Sequence, residues 1–131
     1  MKTLDYVSIE VAKLLKEKGF REPCNYFYRE GGSCDGSPWK FDYNKDLGRY
    51  SRPTLYEAQK WLRNKHRLHI DVGMCGDYST DADGNKVEEW QYWTFSTYYT
   101  TSLQHIYDCE GTFNTYEEAL NEGILKALKF I

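Results

Sequence analysis

Residues 88–99 read Glu-Glu-Trp-Gln-Tyr-Trp-Thr-Phe-Ser-Thr-Tyr-Tyr, and six of the twelve are aromatic. No other stretch constrains the chain as strongly. Aromatic and Thr side chains suit a pleated, half-buried surface and are poor material for a surface helix. The run predicts the central strand of a small sheet, with helices before and after it packed on that sheet. Alternation places Trp90, Tyr92 and Tyr98 on one side and Gln91, Trp93, Phe95 and Tyr99 on the other.

The flanking segments carry helical spacing. In residues 4–18, Leu4, Val7, Val11, Leu14 and Lys18 recur at three- and four-residue steps and Leu15 widens the stripe. Gly19 supplies a left-handed stop, Phe20 can fold back on Leu14 or Leu15, and Pro23 discourages continuation. Thr54-Leu55-Tyr56-Glu57 is a capping box opening a second helix on Leu55, Ala58 and Leu62, with Trp61 beside them. Thr115-Tyr116-Glu117-Glu118 repeats the device before a third helix with Tyr116, Leu120, Ile124, Ala127 and Ile131 on one stripe. Gly123 inside that helix costs about 1 kcal/mol relative to Ala, so the position predicts close approach of another backbone.

Strands are expected at 24–29, at 39–43 and at 68–74, where Leu68, Ile70 and Val72 alternate with His69, Asp71 and Gly73. Residues 31–38 read as a loop or hairpin connection, 44–52 as irregular, and 76–86 as a loop turning at Asp83-Gly84. A short last strand near 105–109 completes the set. The fold class is α+β: a mainly antiparallel sheet of four or five strands with three helices packed chiefly on one face.

The chain has 131 residues, the size of one domain spanning 1–131. A domain of this length buries roughly two-thirds of its unfolded surface and needs no disulfide or metal staple. The net charge of −3 disfavours nucleic acid, whose affinity comes from neutralised phosphates. No run approaches the ~18 apolar residues of a membrane span, and the first residues lack a signal-like apolar segment. A cytoplasmic protein is the expectation. Cys24, Cys34, Cys75 and Cys109 are then free thiols; their wide spacing supports neither a zinc site nor any other metal or cofactor.

Little specific chemistry stands out. Arg63, Lys65, His66, Arg67 and His69 form the densest basic cluster. They suit a phosphate, but cations at a helix C-terminus also simply offset the macrodipole. Asp81-Ala82-Asp83-Gly84-Asn85 resembles part of a calcium loop, yet with Gly84 as its sixth position the twelfth is Trp90 where a bidentate Glu is required. That segment reads as a polar turn. His66, His69 and His105 stand in no nucleophile motif with a cysteine. Nothing points to an enzyme.

Residues 6–20 with Glu22-Pro23-Cys24, Arg52-Pro53-Thr54 before Trp61-Leu62-Arg63, and the tail from Tyr116-Glu117-Glu118-Ala119-Leu120 to Ile131 together resemble a group of small proteins of unknown function. That group is encoded by phages, prophages and mobile elements of gut Bacteroidetes. The resemblance covers the three helices and is weakest over 76–113. It carries over no functional residue and implies a context, an accessory protein inside a bacterial host cell.

Two functions follow as expectations. The first is a non-enzymatic interaction module that binds a host protein, or a second copy of itself, through an aromatic sheet face bearing Trp93, Phe95 and Tyr99. The alternative is a small-molecule or nucleotide binder in which rings stack a base and Arg63 or Arg67 holds a phosphate.

Overall fold

The computed structural model describes residues 5–102 and 104–131. Among these, the helices are α1 (Ile9–Glu17), α2 (Leu55–His66) and α3 (Tyr116–Phe130). The strands are β1 (Cys24–Arg29), β2 (Cys34–Phe41), β3 (Arg49–Ser51), β4 (Leu68–Thr80), β5 (Lys86–Tyr99) and β6 (His105–Phe113). A 3-10 turn at Tyr43–Lys45 links β2 to β3.

The fold is α+β, but the strands form two sheets and not a single one of four or five strands. Their orders are β2-β1-β3 and β4-β5-β6, antiparallel throughout. The break has a local cause. β3 spans three residues and runs into Pro53, which has no amide to give to a ladder. The Pro53 carbonyl accepts from Val7 N at 3.1 Å, and Thr54 caps α2. The chain thus leaves the first sheet for a helix and starts a second sheet after it.

α1 begins later than the apolar spacing predicts, and Leu4 lies outside the described residues. Ser8 is extended (φ −69°, ψ 163°) and its Oγ accepts from Val11 N at 3.3 Å. Its own amide donates to Asn121 Oδ1 on α3 at 3.0 Å. Val7 therefore enters the core as extended chain, fully buried, beside a Tyr6–Thr54 bridge. The C-terminus follows the expected pattern. Gly19 takes φ +94°, its amide donates to Lys16 O, and Phe20 N donates to Leu15 O at 2.8 Å.

At α2 both halves of the capping box form: Glu57 N donates to Thr54 Oγ1 at 3.1 Å and Thr54 N to Glu57 Oε1 at 3.0 Å. At α3, Thr115 Oγ1 accepts from Glu118 N at 3.1 Å. The supposedly irregular 44–52 segment is pinned by buried Asn44, whose Nδ2 donates to Phe20 O at 2.7 Å and whose Oδ1 accepts from Ser51 N at 2.8 Å. The expected 76–86 loop is strand at 76–80 and at Lys86, with only residues 81–85, around the turn at Asp83-Gly84, outside the ladder.

One core joins the layers. α1 packs on β3 and α3, α2 on β4 and α3, and α3 on all three strands of the second sheet. Leu15, Phe20, Leu62, Leu68, Ile70, Phe95, Ile124 and Leu128 are among its fully buried large side chains. Gly123 marks the tightest point. A Cβ there would stand 2.6 Å from Ile70 Cγ2 and 3.1 Å from the Phe95 ring. The close approach predicted from the glycine is thus real, but it is made by side chains and not by another backbone.

Gly123→Ala should gain about 1 kcal/mol of helix propensity and lose about 1–3 kcal/mol to overpacking. The expected result is a lower denaturant midpoint at unchanged m-value, contrary to the gain an ordinary helical glycine would give. Thr54→Ala should cost about 1 kcal/mol in the same unfolding measurement.

Candidate functional site

Pairing across the second sheet decides which rings are available. Leu68, Ile70 and Val72 stand opposite Tyr99, Thr97 and Phe95. The apolar side of β4 and the odd-numbered side of β5 therefore form one surface, and α3 lies on it. Phe95 is 1% exposed. The Trp93 ring meets Tyr116 of α3 at 5.6 Å and the Tyr99 ring meets Phe130 at 6.3 Å, each edge to face. The expectation that Trp93, Phe95 and Tyr99 form the open face is corrected: they are the face the helix covers. The signal that would have placed them is the alternation of Leu68, Ile70 and Val72, once the register of the hairpin is known.

The opposite face carries the even-numbered residues of β5. Tyr98 stands between His69 and His105, with ring centroids at 5.4 and 5.6 Å. Ser96 Oγ donates to Asp108 Oδ1 at 3.2 Å and accepts from Cys109 N at 3.1 Å. Ser96, Asp108 and Cys109 thus engage one another on this face.

The segment that departs most from a compact domain is the end of the β4–β5 hairpin. Pairing of β5 with β6 ends at Trp93, while β4 and β5 remain paired out to Thr80 and Lys86. The ribbon therefore projects as two strands, about 14 Å from Gly76 to Thr80 at 3.4 Å per residue. Every residue in 76–91 is exposed except half-buried Ser79. The turn holds itself together: Asp81 Oδ1 accepts from both Asp83 N and Asn85 N at 2.9 Å, and Gly84 takes φ +84°. The carboxylate read as a possible calcium ligand is a turn cap, and no group of three or more metal-ligating side chains occurs among the described residues.

Apolar side chains stand out from this arm. Met74 and Tyr78 are each 54% exposed, Val87 66% and Trp90 44%. Tyr78 and Val87 continue the side of the ribbon that carries Met74 and Trp93 at its root, where Tyr116 opens α3. Trp90 projects from the other side, opposite Asp77. Around them lie Asp77, Asp81, Asp83, Glu88 and Glu89 against Lys86, a net of −4 for 76–91. The whole chain carries −3, so the remainder carries +1. Lys86 is itself engaged, 3.5 Å from Glu89 and 4.7 Å from the Tyr78 ring centre. Sequence reasoning assigned 76–86 to a loop and 88–91 to the central strand, and so missed the arm.

The basic cluster does not converge on one site. Arg67 is exposed at the α2 C-cap with φ 59°, its carbonyl accepting from Thr100 N. Arg63 reaches His69 on the sheet, 3.4 Å from Nδ1. Burial, and then the Arg63 charge, hold His69 below its usual value; burial, and then Lys65, do the same for His66.

All four cysteines are free. Burial pushes the Cys24 thiol up to about 12. The hydrogen bond to Asp108 and the charge of that carboxylate push Cys109 up as well. Neither carries the lowered pKa that marks an activated thiolate.

No protein-family model, no curated protein and no solved structure matches the chain.

A histidine whose folded pKa is depressed binds fewer protons than its unfolded counterpart. His66 and His69 therefore contribute stability that is present above the unfolded value and lost as pH falls through the interval beneath it. The unfolding free energy should decline between about pH 7 and pH 5. In Arg63→Gln the His69 titration, followed by its ring NMR signals, should move upward.

Proposed function

We propose that this protein is a non-enzymatic binding module that docks, through its acidic β-hairpin arm, onto a basic surface of another protein. The observation that supports the reading is the arm itself: exposed rings and a net charge of −4 on a two-stranded ribbon standing clear of the body. Aromatic side chains that give up their remaining water make the strongest anchors at protein interfaces. Carboxylates around them steer a basic partner and reject acidic ones. The arm replaces the sheet face of Trp93, Phe95 and Tyr99 as the contact region, with only Trp93 near its root.

Self-association through the arm is opposed by the same charge, since two copies would bring like carboxylates together. The acids also protect the ribbon's open backbone edges from pairing with other chains. In the setting implied by the resemblance to phage and mobile-element proteins, the partner is a protein of the bacterial host cell.

The test uses the full chain with a photo-crosslinking amino acid at position 78 or 90, in bacterial extract. Both positions should capture the same protein, with the crosslinks falling on its Lys- and Arg-rich surface. The triple variant Asp77→Asn, Glu88→Gln, Glu89→Gln should lower capture about ten-fold or more, and about 0.5 M salt should do the same. Equal capture by a chain whose residues 76–91 are replaced by an Asn-Gly turn would overturn the proposal, as would crosslinks to an acidic surface.

A further inference from the structure

A cleft of about 450 Å³ lies on the side of the molecule formed by α2 and the α1–β1 connection. Its inner wall is one stripe of α2: Glu57, Lys60, Trp61, Asn64 and Lys65, at three- and four-residue spacing. Phe20, Glu22 and Pro23 face this stripe, and Lys40 of β2 closes one end. The other stripe of the same helix, with Leu55, Ala58 and Leu62, is spent on the core. Trp61 sits where the two stripes meet, its ring edge to face with Phe20 at 5.3 Å. Phe20 and Trp61, 1% and 7% exposed, form the apolar back of the cleft, and its rim is charged.

The rim carries Lys40, Lys60 and Lys65 against Glu57 and exposed Glu22, and these charges are not equivalent. Glu57 is already committed, with one oxygen on the Thr54 amide and the other 3.9 Å from Lys40 Nζ. Lys60 and Lys65 form no ion pair or hydrogen bond among the described residues. Two ammonium groups thus stand unengaged on the rim beside Pro23 and the edge of Trp61, with the Asn64 amide on the turn between them. The volume lies within the roughly 300–1,000 Å³ of small-molecule sites.

We infer that this cleft binds a small aromatic anion, its ring against exposed Pro23 and the uncovered edge of Trp61 and its charged group held by Lys60 and Lys65. The anionic group is a carboxylate or a phosphate, since both offer oxygens to two ammonium donors. The site is separate from the arm: it shares no residue with 76–91 and does not involve Arg63 or Arg67. Its success or failure is thus independent of the docking reading.

The test titrates the full chain with 1-anilinonaphthalene-8-sulfonate, an aromatic anion whose fluorescence rises in apolar surroundings. The expected result is saturable one-to-one binding, displaced by indole-3-carboxylate, by adenosine monophosphate, or by both. Which of them competes identifies the anionic group, and neutral benzyl alcohol should compete poorly. Lys60→Met with Lys65→Met keeps the alkyl stems and should weaken binding about ten-fold, with an unchanged circular dichroism spectrum and thermal midpoint. Tyr78→Ala with Trp90→Ala on the arm should leave it unaltered. Unsaturable fluorescence, displacement by neither anion, equal binding by the double lysine variant, or loss of binding in the arm variant would each overturn the assignment.

Discussion

The second half of the molecule depends on how closely α3 can approach the β4–β5 hairpin. Gly123 has no side chain to hold the helix away, and Ile70 and Phe95 fill the space its Cβ would need. That seating puts Ile124, Ala127 and Leu128 against the sheet, all fully buried. It also brings Ser8 within reach of Asn121, so that the start of α1 is set by α3, 113 residues away in the chain. Dispersion and hydrophobic burial are steep functions of such contact.

Seating α3 on this side of the sheet divides the aromatic residues of β5 into three populations. Phe95 and its odd-numbered neighbours are enclosed by the helix. Tyr98 lies on the opposite face among His69, His105 and Asp108, where polar neighbours share the surface with it. Trp90 lies beyond both, on the ribbon that neither α3 nor β6 reaches. Helix length and the end of the β6 ladder thus decide which rings stay exposed. The acids flanking them keep a bare two-stranded ribbon from becoming an aggregation template.

The first half is held by a different device. Buried Arg52 lies 4.5 Å from the Tyr6 ring centre and 5.1 Å from that of Tyr28. Tyr28 donates its hydroxyl proton to Val7 O at 2.6 Å. A guanidinium between two rings tolerates burial that a bare ammonium would not, because it is planar and weakly hydrated. The chain leading into α1 is thereby fastened to β1 and to the start of α2.

Local chemistry determined much of the secondary structure. Thr54, Thr115 and Gly19 set helix ends through bonds spanning three to five residues, and β1 begins and ends where its composition indicates. The alternation of residues 68–72 was equally legible, because period-two burial is a property of a single strand. Other features depended on partners distant in sequence. Leu68, Ile70 and Val72 select the buried face of β5 only after pairing fixes what stands opposite them. The arm exists because β6 ends its ladder at Trp93 while β4 continues. Lys65 belonged to a basic cluster in the sequence, and only the packing of Phe20 and Pro23 beside Trp61 sets it and Lys60 on the rim of a cleft. The sequence by itself determined where the chain turns and what each element prefers. Only tertiary packing decided which faces met and which were left to bind something else, since burial is shared between elements and belongs to no one of them.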